Sequence, residues 1–265
     1  MVVRVHSCQL EKFWQGEFMK NSTKAVLITG ARTGGTFLST CFSNHPDIFW
    51  VREEVFNGSS VYASLPDDEA ILYQVYRQRF YKLNGFKTLF AELDTKRLES
   101  ILSWKPRIIF LLRRNILEQV ISGLIMNRVK TTEELPIHSF DAVDQSVTFH
   151  IDPEALISGV KRVEVGYLQY LDWINEKAYT YDLPTLTLYY EDLYTPENIT
   201  NLSGITYIKQ NEEWKILDFL GVDEEYPLFS GTIKISKNPF QRIENYDEVY
   251  SLIEQTKYRE FWEKV

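Results

Sequence analysis

The sequence predicts an α/β fold, a mostly parallel central sheet flanked by helices. Three observations predict it. Apolar, β-branched runs recur at 24–29 (K-A-V-L-I-T), 107–112 (R-I-I-F-L-L) and 185–190 (T-L-T-L-Y-Y), as expected of strands buried on both faces. Segments of helical period separate them. The chain of 265 residues, 44% hydrophobic and 25% charged, is long enough for one domain, 1–265, with a substantial core. Strands alternating with helices in this way build parallel sheets with right-handed crossovers.

In chain order, residues 1–23 read as an N-terminal arm, with Phe13, Trp14 and Phe18 available to pack on the domain. The strand at 24–29 leads into A-R-T-G-G-T, a turn containing Gly34 and Gly35 and preceded by Gly30. Phe37, Leu38, Cys41 and Phe42 follow at helical spacing. Strand, glycine loop and helix start together form an anion site, because unpaired N–H groups and the helix dipole both favour negative charge. The turn therefore reads as a P-loop-like phosphate cradle. It departs from an ATP–magnesium loop, which needs Lys and then Ser or Thr after its last glycine. Here Thr36 and Phe37 follow Gly35, and the cation is Arg32, inside the loop. A plain strand-to-helix connection is the other reading of such a turn.

H-P-D marks a turn before a short strand, I-F-W-V, with Glu53 and Glu54 just past its end. Helical spacing covers 66–83 (Ile71, Leu72, Val75, Tyr76, Phe80), and a strand at 85–90 carries Lys87. Asp94 suits the N-cap of a helix through 102. The strand at 107–113 ends on Arg113 and Arg114, and Asn115 suits the cap of a helix over 116–127. This repeats the plan of the first unit, so both basic loops can face one crevice. Residues 128–152, polar and containing His138 and His150, read as a substrate or lid loop. A long helix follows from Pro153 to about 179. The strand at 185–190 then ends in Glu191 and Asp192. A loop at 195–210, a helix over 212–220 closed by Gly221, and a terminal helix from about 247 complete the chain.

A net charge of −8 argues against a nucleic-acid or anionic-membrane surface, though basic residues cluster locally. No apolar run approaches the roughly 18 residues of a membrane span, and the N-terminus has no signal-like apolar region. Two cysteines, Cys8 and Cys41, make no disulfide framework, so a cytoplasmic location is expected. The Asn-x-Ser/Thr triplets at Asn21, Asn57, Asn198 and Asn201 then read as chance matches.

Three motifs in order resemble the sulfotransferases that use 3′-phosphoadenosine 5′-phosphosulfate (PAPS). A-R-T-G-G-T-F resembles the family's 5′-phosphosulfate loop. L-L-R-R-N-I-L-E-Q-V-I-S resembles its 3′-phosphate motif, with Arg114 and Ser122 at the family's spacing. L-Y-Y-E-D-L resembles the strand end before its last core helix. The likeness runs over 24–240 and is closer to the bacterial carbohydrate-type branch, because E-E-V-F and G-F-K also resemble segments there.

The resemblance implies a transferase with PAPS as donor, adenosine 3′,5′-bisphosphate as product and no metal. Its acceptor would be a carbohydrate or another small molecule. Arg32, Thr33, Gly34, Gly35, Thr36 and Phe37 would hold the 5′ end and the base, Arg114 and Ser122 the 3′-phosphate, and Tyr190 the base. Arg32 and Lys87 would stabilise transferring charge, and Glu54, with Glu53 second, would act as base. His138 or His150 is the rival base. The R-K-G loop of the small-molecule branch is missing; K-I-S-K-N-P-F-Q-R stands there, so Lys237 with Lys234 or Arg242 would contact the nucleotide instead. Each residue also has a plainer reading: Phe37 and Tyr190 as core, Arg114 as a surface cation, Glu53 and Glu54 as a solvated turn. A small-metabolite kinase and an inactive nucleotide-binding module are the alternative functions.

Overall fold

The computed structural model describes residues 22–58, 60–78, 80–133, 148–193, 205–231 and 239–263, with 128–133 as helix backbone only. Strand β1 (Thr23–Thr29) takes the centre of a five-stranded sheet because both its faces are apolar. Successive side chains alternate across the sheet, so Ala25 and Leu27 enter one core and Val26 and Ile28 the other. β3 (Leu83–Leu89) flanks β1 on one side and β4 (Arg107–Leu112) on the other. β2 (Ile48–Glu54) lies outside β3, and β5 (Thr185–Tyr189) outside β4. The order is β2-β3-β1-β4-β5, with every pairing parallel.

Around the sheet run α1 (Gly35–Asn44), α2 (Asp68–Tyr76), α3 (Thr95–Ser103), α4 (Ile116–Glu133), α5 (Pro153–Thr180), the single turn α6 (Tyr190–Leu193), α7 (Gln210–Leu220), α8 (Tyr246–Glu254) and α9 (Arg259–Glu263). Leu38 and Phe42 of α1 and Ile216, Leu217 and Leu220 of α7 pack on one face. Leu72, Val75, Leu98, Ile101 and Ile174 of α2, α3 and α5 pack on the other. Fully burying such a side chain is worth about 1.5–3 kcal/mol, so this two-sided core outweighs any single polar pairing. A smaller cluster, including Leu117, Ile121, Val160, Val249 and Trp262, joins α8 and α9 to α4 and α5. A short antiparallel pair, β6 (Thr206–Tyr207) with β7 (Phe229–Ser230), stands apart from the main sheet.

The predicted caps at Asp94 and Asn115 form, each accepting a backbone N–H three residues on, and Gly221 takes the left-handed conformation after α7. Several elements differ from expectation. The helix predicted over 66–83 stops at Tyr76, because the buried Asn84 side chain donates to the Tyr76 and Gln78 carbonyls and the chain turns into β3; Phe80 is left exposed. β2 runs on through Glu53 and Glu54, with a register shift between Val51 and Glu54. Helix α4 continues past 127 to Glu133, taking the first six residues of the predicted loop; 134–147 lie outside the described residues. β5 is an edge strand with Thr185 and Thr187 exposed, not the fully buried strand expected.

Gly85 of β3 marks a place where only hydrogen fits. A Cβ there would lie 2.2 Å from Trp50 Cζ3 and 3.0 Å from the Ala25 carbonyl oxygen. Trp50 is itself wedged against Phe42, with ring centroids 4.5 Å apart. Gly85→Ala is therefore expected to cost about 1–3 kcal/mol and lower the melting temperature by roughly 2–12 °C. An unchanged melt would show that Trp50 has room to move.

Candidate functional site

Thr29, the last residue of β1, is level with Leu89 of β3 and Leu111 of β4. The loops that follow these three parallel strands thus open side by side, at the sheet end where α/β folds place their ligands.

The loop after β1 is turned inside out by its hydrogen bonds. The Gly30 carbonyl accepts from the Thr33 hydroxyl at 2.9 Å, the Ala31 carbonyl from Gln119 Nε2 at 2.7 Å, and the Arg32 carbonyl from Arg113 Nη1 at 3.1 Å. In a trans peptide the N–H points opposite to the C=O. The Ala31 and Arg32 carbonyls, tied to Gln119 and Arg113, therefore turn the amides of Arg32 and Thr33 away from those residues. Arg32 (φ 63°) and Gly34 (φ 86°) are left-handed, the geometry that gathers successive N–H groups into an anion nest. Gly34 caps α1 with no side-chain hydrogen bond, so the first-turn amides of Gly35 and Thr36 adjoin the same concavity. Gly35 serves by close approach: a Cβ there would stand 3.2 Å from Lys87 Cδ.

Lys87 enters this concavity from β3. Its side chain is 3% exposed, and its ammonium lies 2.5 Å from Glu54 Oε1 and donates to Thr36 Oγ1 at 3.3 Å. The irregular register of β2 creates this contact by aligning Glu54 with Lys87. Glu53, next along the strand, is exposed. A buried ammonium costs several kcal/mol in desolvation, and a buried ion pair seldom stabilises a fold beyond what an apolar pair would. The cluster therefore calls for a chemical role. It joins the nest to a carboxylate at the crevice.

The loop after β4 carries two arginines with different surroundings. Arg113 is buried. Besides the Arg32 carbonyl, it meets Glu118 Oε1 at 2.5 Å, and its guanidinium stacks over the Tyr190 ring at 4.5 Å. Arg114 is half exposed, and its two terminal nitrogens reach the two Asp192 oxygens at 2.6 Å each. Its guanidinium lies over the Tyr189 ring at 4.1 Å. Glu191 accepts the Arg114 and Asn115 amides at 3.1 and 3.0 Å. The hydrogen bond to Ser122 Oγ comes from Arg32 Nε, at 3.2 Å. The resemblance sets Ser122 and Arg114 on one 3′-phosphate; in the structure the side-chain partner of Ser122 is Arg32. Burial, and then the charge of Arg113, draws the Arg32 guanidinium below its ordinary pKa.

The structure thus brings together Arg32, Thr33, Gly34, Gly35, Thr36, Lys87 and Glu54, with Ser122 beside Arg32. Phe37 packs half-buried against the core face that holds Leu38 and Phe42, and Tyr190 packs under Arg113. Arg242 is buried with its guanidinium over Phe149 at 4.8 Å. His150 is exposed beside the Phe149–Ile243 bridge. Lys234, Lys237 and His138 lie outside the described residues.

Sequence reasoning missed Gln119 and Tyr167, which brace the loop from beneath. Gln119 accepts from the Tyr167 hydroxyl at 2.7 Å while donating to Ala31. Burial pushes that hydroxyl well above the usual phenol range, so it stays a donor. No local pattern marks either residue, since each lies on a helix whose facing element is far away in the chain. Among the described residues, no group of three or more His, Cys, Asp or Glu is arranged to hold a metal ion, and no helix is long and apolar enough to cross a membrane.

No protein-family model matches the chain, and no curated protein matches it by sequence. Among solved structures it is similar to a sulfotransferase from Alicyclobacillus acidocaldarius, with a TM-score of 0.51 and 13% identity, over 88% of this chain and 94% of that one. At that identity the likeness shows a shared fold.

Proposed function

We propose that the chain is a sulfotransferase that moves a sulfuryl group from PAPS to a hydroxyl of a carbohydrate or another small acceptor. The observation that carries this reading is Lys87, buried and bonded at once to Thr36 of the amide nest and to Glu54 at the crevice. The shared fold supports it independently. So does the loop itself: it offers backbone amides, Arg32 and Thr36, with no lysine after Gly35 to serve a γ-phosphate.

The residues present suit the donor. The nest and Arg32 would hold its 5′ phosphosulfate end, and Arg114 and Ser122 its 3′-phosphate. Tyr190 and Phe37 would contact its base, and Lys237 is a further candidate contact. When bound, PAPS supplies an activated sulfuryl group whose bond to the phosphate oxygen breaks as the acceptor oxygen bonds to sulfur. The protein's work is positioning and charge stabilisation, as in phosphoryl transfer. Arg32 and Lys87 meet the negative charge left on the phosphate oxygen. Glu54 receives the acceptor proton, and its contact with Lys87 holds the carboxylate beside the nest. The Glu54–Lys87 pair also favours the carbohydrate-type branch of the family over the small-molecule branch.

Calorimetry with adenosine 3′,5′-bisphosphate, and with ATP in the presence and absence of magnesium, tests the donor. The bisphosphate is expected to bind and ATP–magnesium to show no comparable heat. Binding of ATP–magnesium without the bisphosphate would replace the proposal with a kinase.

A further inference from the structure

We propose that Asp192 sets the strength and selectivity of 3′-phosphate binding by competing for the guanidinium of Arg114. The inference rests on the nucleotide reading given above and adds a specificity-determining residue to it.

The two terminal nitrogens of Arg114 each donate to one oxygen of Asp192, at 2.6 Å. This is the fork-to-fork geometry by which arginine also takes a phosphate. The same edge of the guanidinium cannot serve both anions. Nor can the neighbouring backbone compensate, because Glu191 already accepts the amides of Arg114 and Asn115. These four donors of Arg114 and Asn115 are thus matched, one for one, by the four oxygens of two carboxylates on α6.

The pair is built to exchange. Arg114 and Asp192 side chains are 49% and 38% exposed, and exposed pairs of this kind contribute little net stability. Arg114 also has other supports: the Tyr189 ring lies 4.1 Å from its guanidinium, and Glu191 holds its backbone. Loss of Asp192 therefore leaves the arginine placed and its fork open. Hydrogen bonding to Arg114 holds the Asp192 carboxyl below its ordinary range, so at neutral pH it competes as a full charge. Lys209 and Lys215 also favour the charged form of that carboxyl.

Calorimetry on the whole chain tests this with adenosine 3′,5′-bisphosphate and adenosine 5′-phosphate as probes. Asp192→Asn is expected to tighten the bisphosphate by about three- to fivefold, the upper end of the range for one screened ion pair, and to leave the 5′-phosphate within about twofold. Asp192→Ser, which also lacks the carboxylate, should agree if the amide disturbs the fold. In an Arg114→Ala background the gain should vanish, since the two side chains then have nothing to compete over. An unchanged or weaker bisphosphate affinity in both Asp192 variants overturns the proposal and leaves the sulfotransferase reading standing. A wild-type chain that binds both nucleotides equally overturns the 3′-phosphate assignment, and the proposal with it.

Discussion

Glu54→Gln is expected to lower kcat by about 10²- to 10⁴-fold while leaving affinity for adenosine 3′,5′-bisphosphate within about twofold. The amide keeps the shape of the carboxylate and an oxygen that Lys87 can still reach, so the cluster beside Thr36 stays assembled. What it loses is the ability to take a proton. Breaking a buried pair outright costs about 3–5 kcal/mol, but Glu54 is one-fifth exposed and the amide oxygen still accepts, so the melting temperature should fall little. Single-turnover rates with the donor preloaded separate chemistry from binding. Undiminished turnover would move the base to Glu53 first, and then to His150 or His138.

Lys87→Met is expected to give an unusual pair of results: kcat down by about 10²- to 10³-fold, and a melting temperature that holds or rises. Lys87 is buried in the interior of β3, and Met matches its length without an ammonium to desolvate. Glu54 is one-fifth exposed, so water reaches its carboxylate once the ammonium is gone. A lysine kept for stability would behave the opposite way, losing fold strength and sparing turnover. The two readings therefore differ in sign, and a melt beside a rate assay decides between them.

Much of the architecture was legible in the chain. The runs around Leu27 and Ile109 read as buried strands because 25–28 and 108–112 are apolar without a break, a pattern that needs a cover on both faces. Asp94, Asn115 and Gly221 marked helix ends because capping is a contact between near neighbours. Phe80 misled, since its spacing from Tyr76 fits a helix that the Asn84 side chain cuts short. The threonines of β5 carried the mark of an edge strand, but the same alternation suits any half-exposed strand.

The site divides along the same line. By itself the sequence determined the strand–glycine loop–helix unit, the missing lysine after Gly35, and the basic and acidic residues at the strand ends. Those are properties of consecutive residues. Which charge meets which was decided by the tertiary structure alone. Arg32 reaches Ser122, Arg114 turns to Asp192, and Glu54 is carried onto Lys87 by a slip in the register of β2. Ion pairs and hydrogen bonds act over about 3 Å and depend on direction. Spacing along the chain cannot rank partners that the sheet brings together from opposite ends of the fold.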